Sequence, residues 1–91
     1  MLLLLDDRPS SDQIQSFQIQ GDRTVAQIEH YKEASRKYPE PREVQLPEAP
    51  FGGWVYKLSI DGSFSLQLGD YGKDGFAISW SKEQEAWYLD S

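Results

Sequence analysis

Cysteine is absent from the 91 residues, which excludes disulfides, thiolate zinc sites and a cysteine nucleophile and suits a reducing compartment. Asparagine is absent too, so no N-glycosylation sequon exists. Positive charge is scarce: nine Lys and Arg face fifteen Asp and Glu, for a net charge of −6. Phosphate binding needs a basic surface that releases counterions, so this balance argues against nucleic acid or an anionic membrane as partner. Long apolar runs are also missing. Leucines fill positions 2–5, but no positive residue precedes them and Asp6 and Asp7 follow, so the run is too short for a signal peptide or a membrane span. It reads as a short buried strand. These absences leave a single cytoplasmic domain over residues 1–91, with a thin core that depends on its aromatic residues.

What is present is alternation. Trp54, Tyr56, Leu58 and Ile60 are interleaved with Val55, Lys57 and Ser59; Phe64, Leu66 and Leu68 with Ser65 and Gln67; Phe76, Ile78 and Trp80 with Ala77 and Ser79. That is a strand period, and it predicts an antiparallel meander over residues 54–90 with one heavily aromatic face. Ahead of it the same test gives a strand over residues 15–20, where Phe17 and Ile19 alternate with glutamines, closed by Gly21. Thr24 and Gln27 form a capping box opening a helix, with Asp22 as a competing cap, and Val25, Ile28, Tyr31, Ser35 and Tyr38 form its apolar stripe. Pro39 stops that helix near Tyr38, and the proline-rich connector of residues 39–53 stays extended, with a short edge strand over residues 43–46. The fold class is therefore α+β: a β-β-α part over residues 1–38, the connector, then a meander of about four strands with one helix on one face.

Paired residues must point to the same face, so parity fixes the hairpins. A two-residue turn at Asp61-Gly62 would set Leu58 opposite Ser65 and clash the faces. A three-residue loop over residues 60–62, with Gly62 left-handed in a G1 bulge, pairs Leu58 with Phe64, Tyr56 with Leu66 and Trp54 with Leu68. In the last hairpin an even loop over residues 82–85 sets Ser81 against Ala86, Trp80 against Trp87 and Ile78 against Leu89, turning Tyr88 outward.

Chemistry-bearing motifs are weak. Asp70, Gly72, Asp74 and Gly75 resemble the opening of an EF-hand calcium loop, but Gly72 and Ser81 stand where ligands are needed and a strand follows instead of a helix. A Gly-rich connection is the better reading, and Tyr71 and Lys73 sit at its tip. His30 is the only histidine and lacks the company for a metal site or a triad. Of the carboxylate pairs, Asp6 and Asp7 follow a strand and Glu83 and Glu85 sit in a hairpin turn, exposed positions where they serve solubility. Lys32, Arg36, Lys37 and Arg42 alternate with Glu29, Glu33, Glu40 and Glu43 as on a solvated helix face. No metal or cofactor is expected.

One helix is about 10 Å wide, whereas four strands span nearly twice that. The aromatic face is therefore either closed by the N-terminal strands, the leucines and Phe51, or left open for a partner, a homodimer included. Expected is a non-enzymatic interaction module, an accessory or inhibitor subunit that binds another protein through Phe51, Trp54, Tyr71, Lys73, Asp74 and Tyr88. Two alternatives are a small-molecule or enzymatic pocket between helix and sheet, lined by His30, Tyr31 and Trp54, and single-stranded RNA stacking on outward rings.

Overall fold

A computed structural model describes residues 9–90 of the chain. A long helix α1 (Ser11–Ser35) is followed by a 3₁₀ turn (Pro41–Glu43) and strands β1 (Trp54–Leu58) and β2 (Phe64–Leu68). A single-turn helix α2 (Tyr71–Asp74) then leads to β3 (Ala77–Ser81) and β4 (Ala86–Asp90). The four strands form one antiparallel sheet in the order β1-β2-β3-β4, so the architecture is α+β. The leucine run and its strand assignment lie outside the described residues.

Parity set the meander register. Trp54 pairs with Leu68, Tyr56 with Leu66 and Leu58 with Phe64. The loop is the three-residue form: Gly62 has φ 91° and its N–H donates to Ser59 O, while Ser59 N–H donates to Ser63 O. Asp61 Oδ1 accepts both the N–H and the hydroxyl of Ser63, which holds its carboxyl below the usual range. In the last hairpin Trp80 faces Trp87, Ile78 faces Leu89 and Ser81 faces Ala86.

The N-terminal half differs from its sequence reading. Residues 15–20 are not a strand but the second and third turns of α1, which begins thirteen residues before Thr24, where the expected helix opens. Its cap is Ser10, whose Oγ accepts Gln13 N–H while Gln13 Oε1 accepts Ser10 N–H, a reciprocal box in place of the one expected at Thr24. Along the true helix Ile14, Phe17, Gly21, Thr24 and Ile28 recur every three or four residues and face the core, while Ile19 turns outward. The helix also ends earlier, at Ser35, where Arg36 adopts the left-handed conformation and donates its N–H to Lys32 O. Tyr38 lies beyond it and folds back into the core, edge-on to Phe64 at 4.9 Å.

The aromatic face is covered within the chain. Trp54, Tyr56, Phe64, Leu66, Leu68, Phe76, Ile78 and Trp80 are buried under α1 and the connector. The segment Gln20-Gly21-Asp22 receives both edge tryptophans: Trp54 Nε1–H donates to Gln20 Oε1 (2.6 Å) and Trp87 Nε1–H to Asp22 Oδ1 (2.8 Å). Between these acceptors Gly21 leaves room for the rings, since a Cβ there would stand 2.6 Å from Trp87 Cζ2 and 3.0 Å from Trp54 Cη2.

The connector covers the other flank. Residues 43–46 form no edge strand; only the 3₁₀ turn at Pro41–Glu43 is regular, and Val44 and Leu46 pack on the core from extended backbone. Its backbone keeps close to β1 where Tyr56 Oη–H donates to Pro39 O (2.8 Å). Phe51 has φ 62°, a region that L side chains occupy at a cost of about 1–2 kcal/mol. Its ring stands edge-on to Phe17 and Phe76 (6.3 and 4.8 Å between centroids), and that packing offsets the strain.

Candidate functional site

An open sheet has two edges, and here they are not equivalent. Lys82 N–H donates to Phe64 O, so antiparallel alternation turns the even-numbered backbone groups of β3 toward β2 and the odd-numbered ones toward β4. Tyr88 then bonds Ser79, its register partner, and the N–H and C=O groups of Trp87 and Leu89 point away from the sheet. The same alternation, counted from the Ser59–Ser63 bond, leaves the backbone groups of Trp54, Tyr56 and Leu58 outward on β1. There the 3₁₀ turn packs alongside. No described element packs along the outer edge of β4 in the same way.

Among the described residues the edge of β4 is lightly protected, by its shortness and by the charge of Asp90 at its end. Its sequence Ala-Trp-Tyr-Leu-Asp holds no proline and no lysine, and its register with β3 runs without a bulge. On one sheet face Tyr88 is 52 % exposed, and on the other Leu89 is 48 % exposed. A strand laid along this edge would meet two outward amide pairs and an apolar side chain on each face. The sequence identified Tyr88 as outward but placed Leu89 inward against Ile78. Leu89 does share that face, yet as a residue of the terminal strand it stays half open. Knowing which strand is terminal would have revealed this, and sequence alone does not order the strands.

The other expected contact residues are scattered. Trp54 is 6 % exposed and hydrogen-bonded to the helix, so its indole belongs to the core and offers a partner no surface; this corrects its assignment as a contact. Phe51 is half-buried between two rings, as a lid. Tyr71 and Lys73 are exposed on α2, while Asp74 is half-buried and structural: its Oδ2 accepts Asp70 N–H, and Asp70 Oδ1 caps Gly72 N–H. The segment expected to be a plain Gly-rich connection is thus a capped helical turn, closed by Gly75 at φ 79°. It lies in the connection between β2 and β3, so Tyr71 and Tyr88 do not belong to one strand edge.

The residues proposed for a pocket do not converge. His30 is exposed, Trp54 is buried, and Tyr31 Oη–H donates to Glu43 Oε2 (3.0 Å) at the surface. That bond raises the Tyr31 phenol, while the Glu40 N–H and then Tyr31 hold the Glu43 carboxyl low. Their nearest groove, between α1 and the 3₁₀ turn, has a volume of about 210 Å³ and includes neither His30 nor Trp54. The sheet aromatics that could stack on bases point into the core, except for Tyr88. Among the described residues no three His, Asp or Glu side chains gather in a metal-binding arrangement, and no helix is long and apolar enough to cross a membrane.

Comparison of the chain with protein-family models, with curated proteins and with solved structures returns no match.

Proposed function

We propose that this protein is a non-enzymatic interaction module that takes an extended segment of another protein along the outer edge of β4. The observation that supports the reading is an edge that no described element covers, with the amides of Trp87 and Leu89 outward and Tyr88 and Leu89 open on the two faces. Main-chain hydrogen bonds supply affinity in this mode, and the side chains on each face select the sequence. The rigid backing is the indole of Trp87, fixed to Asp22 from the helix.

The test is selection of linear peptides from a random display library on the full chain, followed by amide chemical-shift mapping. Bound peptides are expected to shift and protect the Trp87 and Leu89 amides. Leu89→Pro removes one outward donor and leaves the bonds between β3 and β4, so it should abolish binding while the circular dichroism stays unchanged. Peptides that bind Leu89→Pro as well as the parent, or that shift only residues elsewhere, would overturn the reading.

A further inference from the structure

A second surface lies at the opposite end of α1 from its capped N-terminus, where the helix C-terminus meets the hairpin between β1 and β2. Its central feature is Ile60, the most exposed large apolar residue of the described chain, with relative exposure of 108 %. The turn does not require it. The conformation of this loop is set by Gly62 at φ 91° and by Asp61, which holds Ser63, and the position of Ile60 accepts most residues. An isoleucine standing free at a hairpin tip contributes nothing to the packing of this fold.

Beside it is a cleft of about 460 Å³, bounded by Ile60 and Leu58 of the hairpin, by Tyr38, and by Lys32, Arg36 and Lys37 of the helix end. Three cations therefore converge in a chain whose net charge is −6. Two carboxylates, Glu40 and Asp61, also border the cleft, and Asp61 is turned into its own loop by Ser63. Lys32 sits over the Tyr38 ring at 4.7 Å, which fixes one cation at the mouth. Arg36 is held in the left-handed cap conformation, so its side chain leaves the helix axis at the rim of the cleft. In sequence these cations were paired off with neighbouring glutamates along a helix. The structure ends the helix at Ser35 instead, which removes Arg36 and Lys37 from helical spacing with Glu33.

We infer that this cleft binds an acidic segment of a partner protein that carries an apolar side chain, the carboxylates meeting Lys32, Arg36 and Lys37 and the apolar group covering Ile60. The complementarity is one of charge and of a single apolar contact, the pattern in which an apolar anchor supplies affinity and surrounding charges supply register. It is independent of the β4 edge, from which it differs in strand, loop and charge, so one partner segment could occupy each.

The probe is a short fluorescent peptide alternating leucine with aspartate, with two controls in which lysine replaces aspartate or serine replaces leucine. Fluorescence anisotropy on the full chain is expected to show binding of the acidic leucine peptide and at least about tenfold weaker binding of both controls. Ile60→Ser and the Arg36→Glu, Lys37→Glu double variant should each weaken it by a similar factor. All three altered positions are at the surface, so circular dichroism and thermal midpoint should match the parent. Equal binding to parent and both variants, or no binding of the acidic peptide, would overturn the inference. A concentration-dependent dimer in sedimentation that Ile60→Ser dissolves would also overturn it, by giving the cleft to a second copy of this chain.

Discussion

The indole of Trp87 in the last strand lies against Gly21 in the middle of the helix, where even one methyl group would collide with it. Glycine inside a helix costs about 1 kcal/mol relative to alanine, and here the cost is offset by letting two tryptophans reach the helix backbone. Gly21→Ala is therefore expected to destabilise despite its better helix propensity, by about 1–3 kcal/mol from overpacking. Urea denaturation followed by tryptophan fluorescence checks this. In a double-mutant cycle Trp87→Leu should recover much of the loss, because the smaller side chain vacates the contact.

Gln20 and Trp54 form the neighbouring link, an amide oxygen accepting an indole N–H at 2.6 Å over a separation of 34 residues. Gln20→Met keeps the volume and removes the acceptor, leaving a donor unpaired on a 6 % exposed side chain. The expected loss is about 1–2 kcal/mol, read from the urea midpoint at unchanged slope. Trp54→Ala should cost more, about 3–5 kcal/mol, and sedimentation equilibrium on that variant should show loss of fold rather than loss of a dimer.

Tyr56 gives the protein an alkaline limit. Burial, then the Glu40 charge, pushes its phenol up to about 12 from an ordinary value of 10.0. A raised folded pKa means the native state prefers the protonated phenol, so its contribution is complete below about pH 10 and is lost as pH rises toward about 12, worth about 2 kcal/mol. Tyr38 is shifted in the same direction by burial and by Glu29, so it adds to the same alkaline loss. Tyr56→Phe should flatten the decline of the urea midpoint across that interval, while lowering stability at neutral pH because the Pro39 carbonyl loses its donor.

Lys82 ties the last hairpin to the helix. Its Nζ lies 3.1 Å from Glu29 and 2.9 Å from Glu85, and these carboxylates hold the amine above the usual lysine range. Both Lys82 and Glu29 are about one-third exposed (33 % and 32 %), so water screens the pairs. Lys82→Met should cost no more than about 1 kcal/mol at low salt, and the difference from the parent should shrink in about 1 M NaCl. A thermal melt of both proteins at two salt concentrations measures it.

The meander was legible because its side chains repeat every two residues, and a one-residue slip would have moved Trp54, Tyr56 and Leu58 to the wrong face. Parity alone rejected the Asp61-Gly62 two-residue turn and settled both hairpin registers. The helix was half misread for a physical reason. Phe17 and Ile19 alternate with glutamines as in a strand, and Gly21 looks like a terminator, yet Phe17, Gly21 and Thr24 also satisfy a helical stripe. Period could not choose between them, since the residue that decides is a glycine whose purpose is to receive an indole from 66 residues later. The box at Ser10 and Gln13 was the available local signal, and it is the same motif as the one assigned to Thr24 and Gln27.

The candidate edge was legible only in Tyr88. That Leu89 is half open, that Trp54 is closed and that Ile60 stands beside three cations all depend on which elements end up next to one another. The sequence by itself determined the strand faces, the hairpin registers and the acidic balance, because those follow from residue order and local backbone geometry. Tertiary structure decided where the helix begins, which tryptophans it covers and which edge no described element covers, because each rests on contacts between residues far apart in the chain, where a local pattern carries no information about what will arrive.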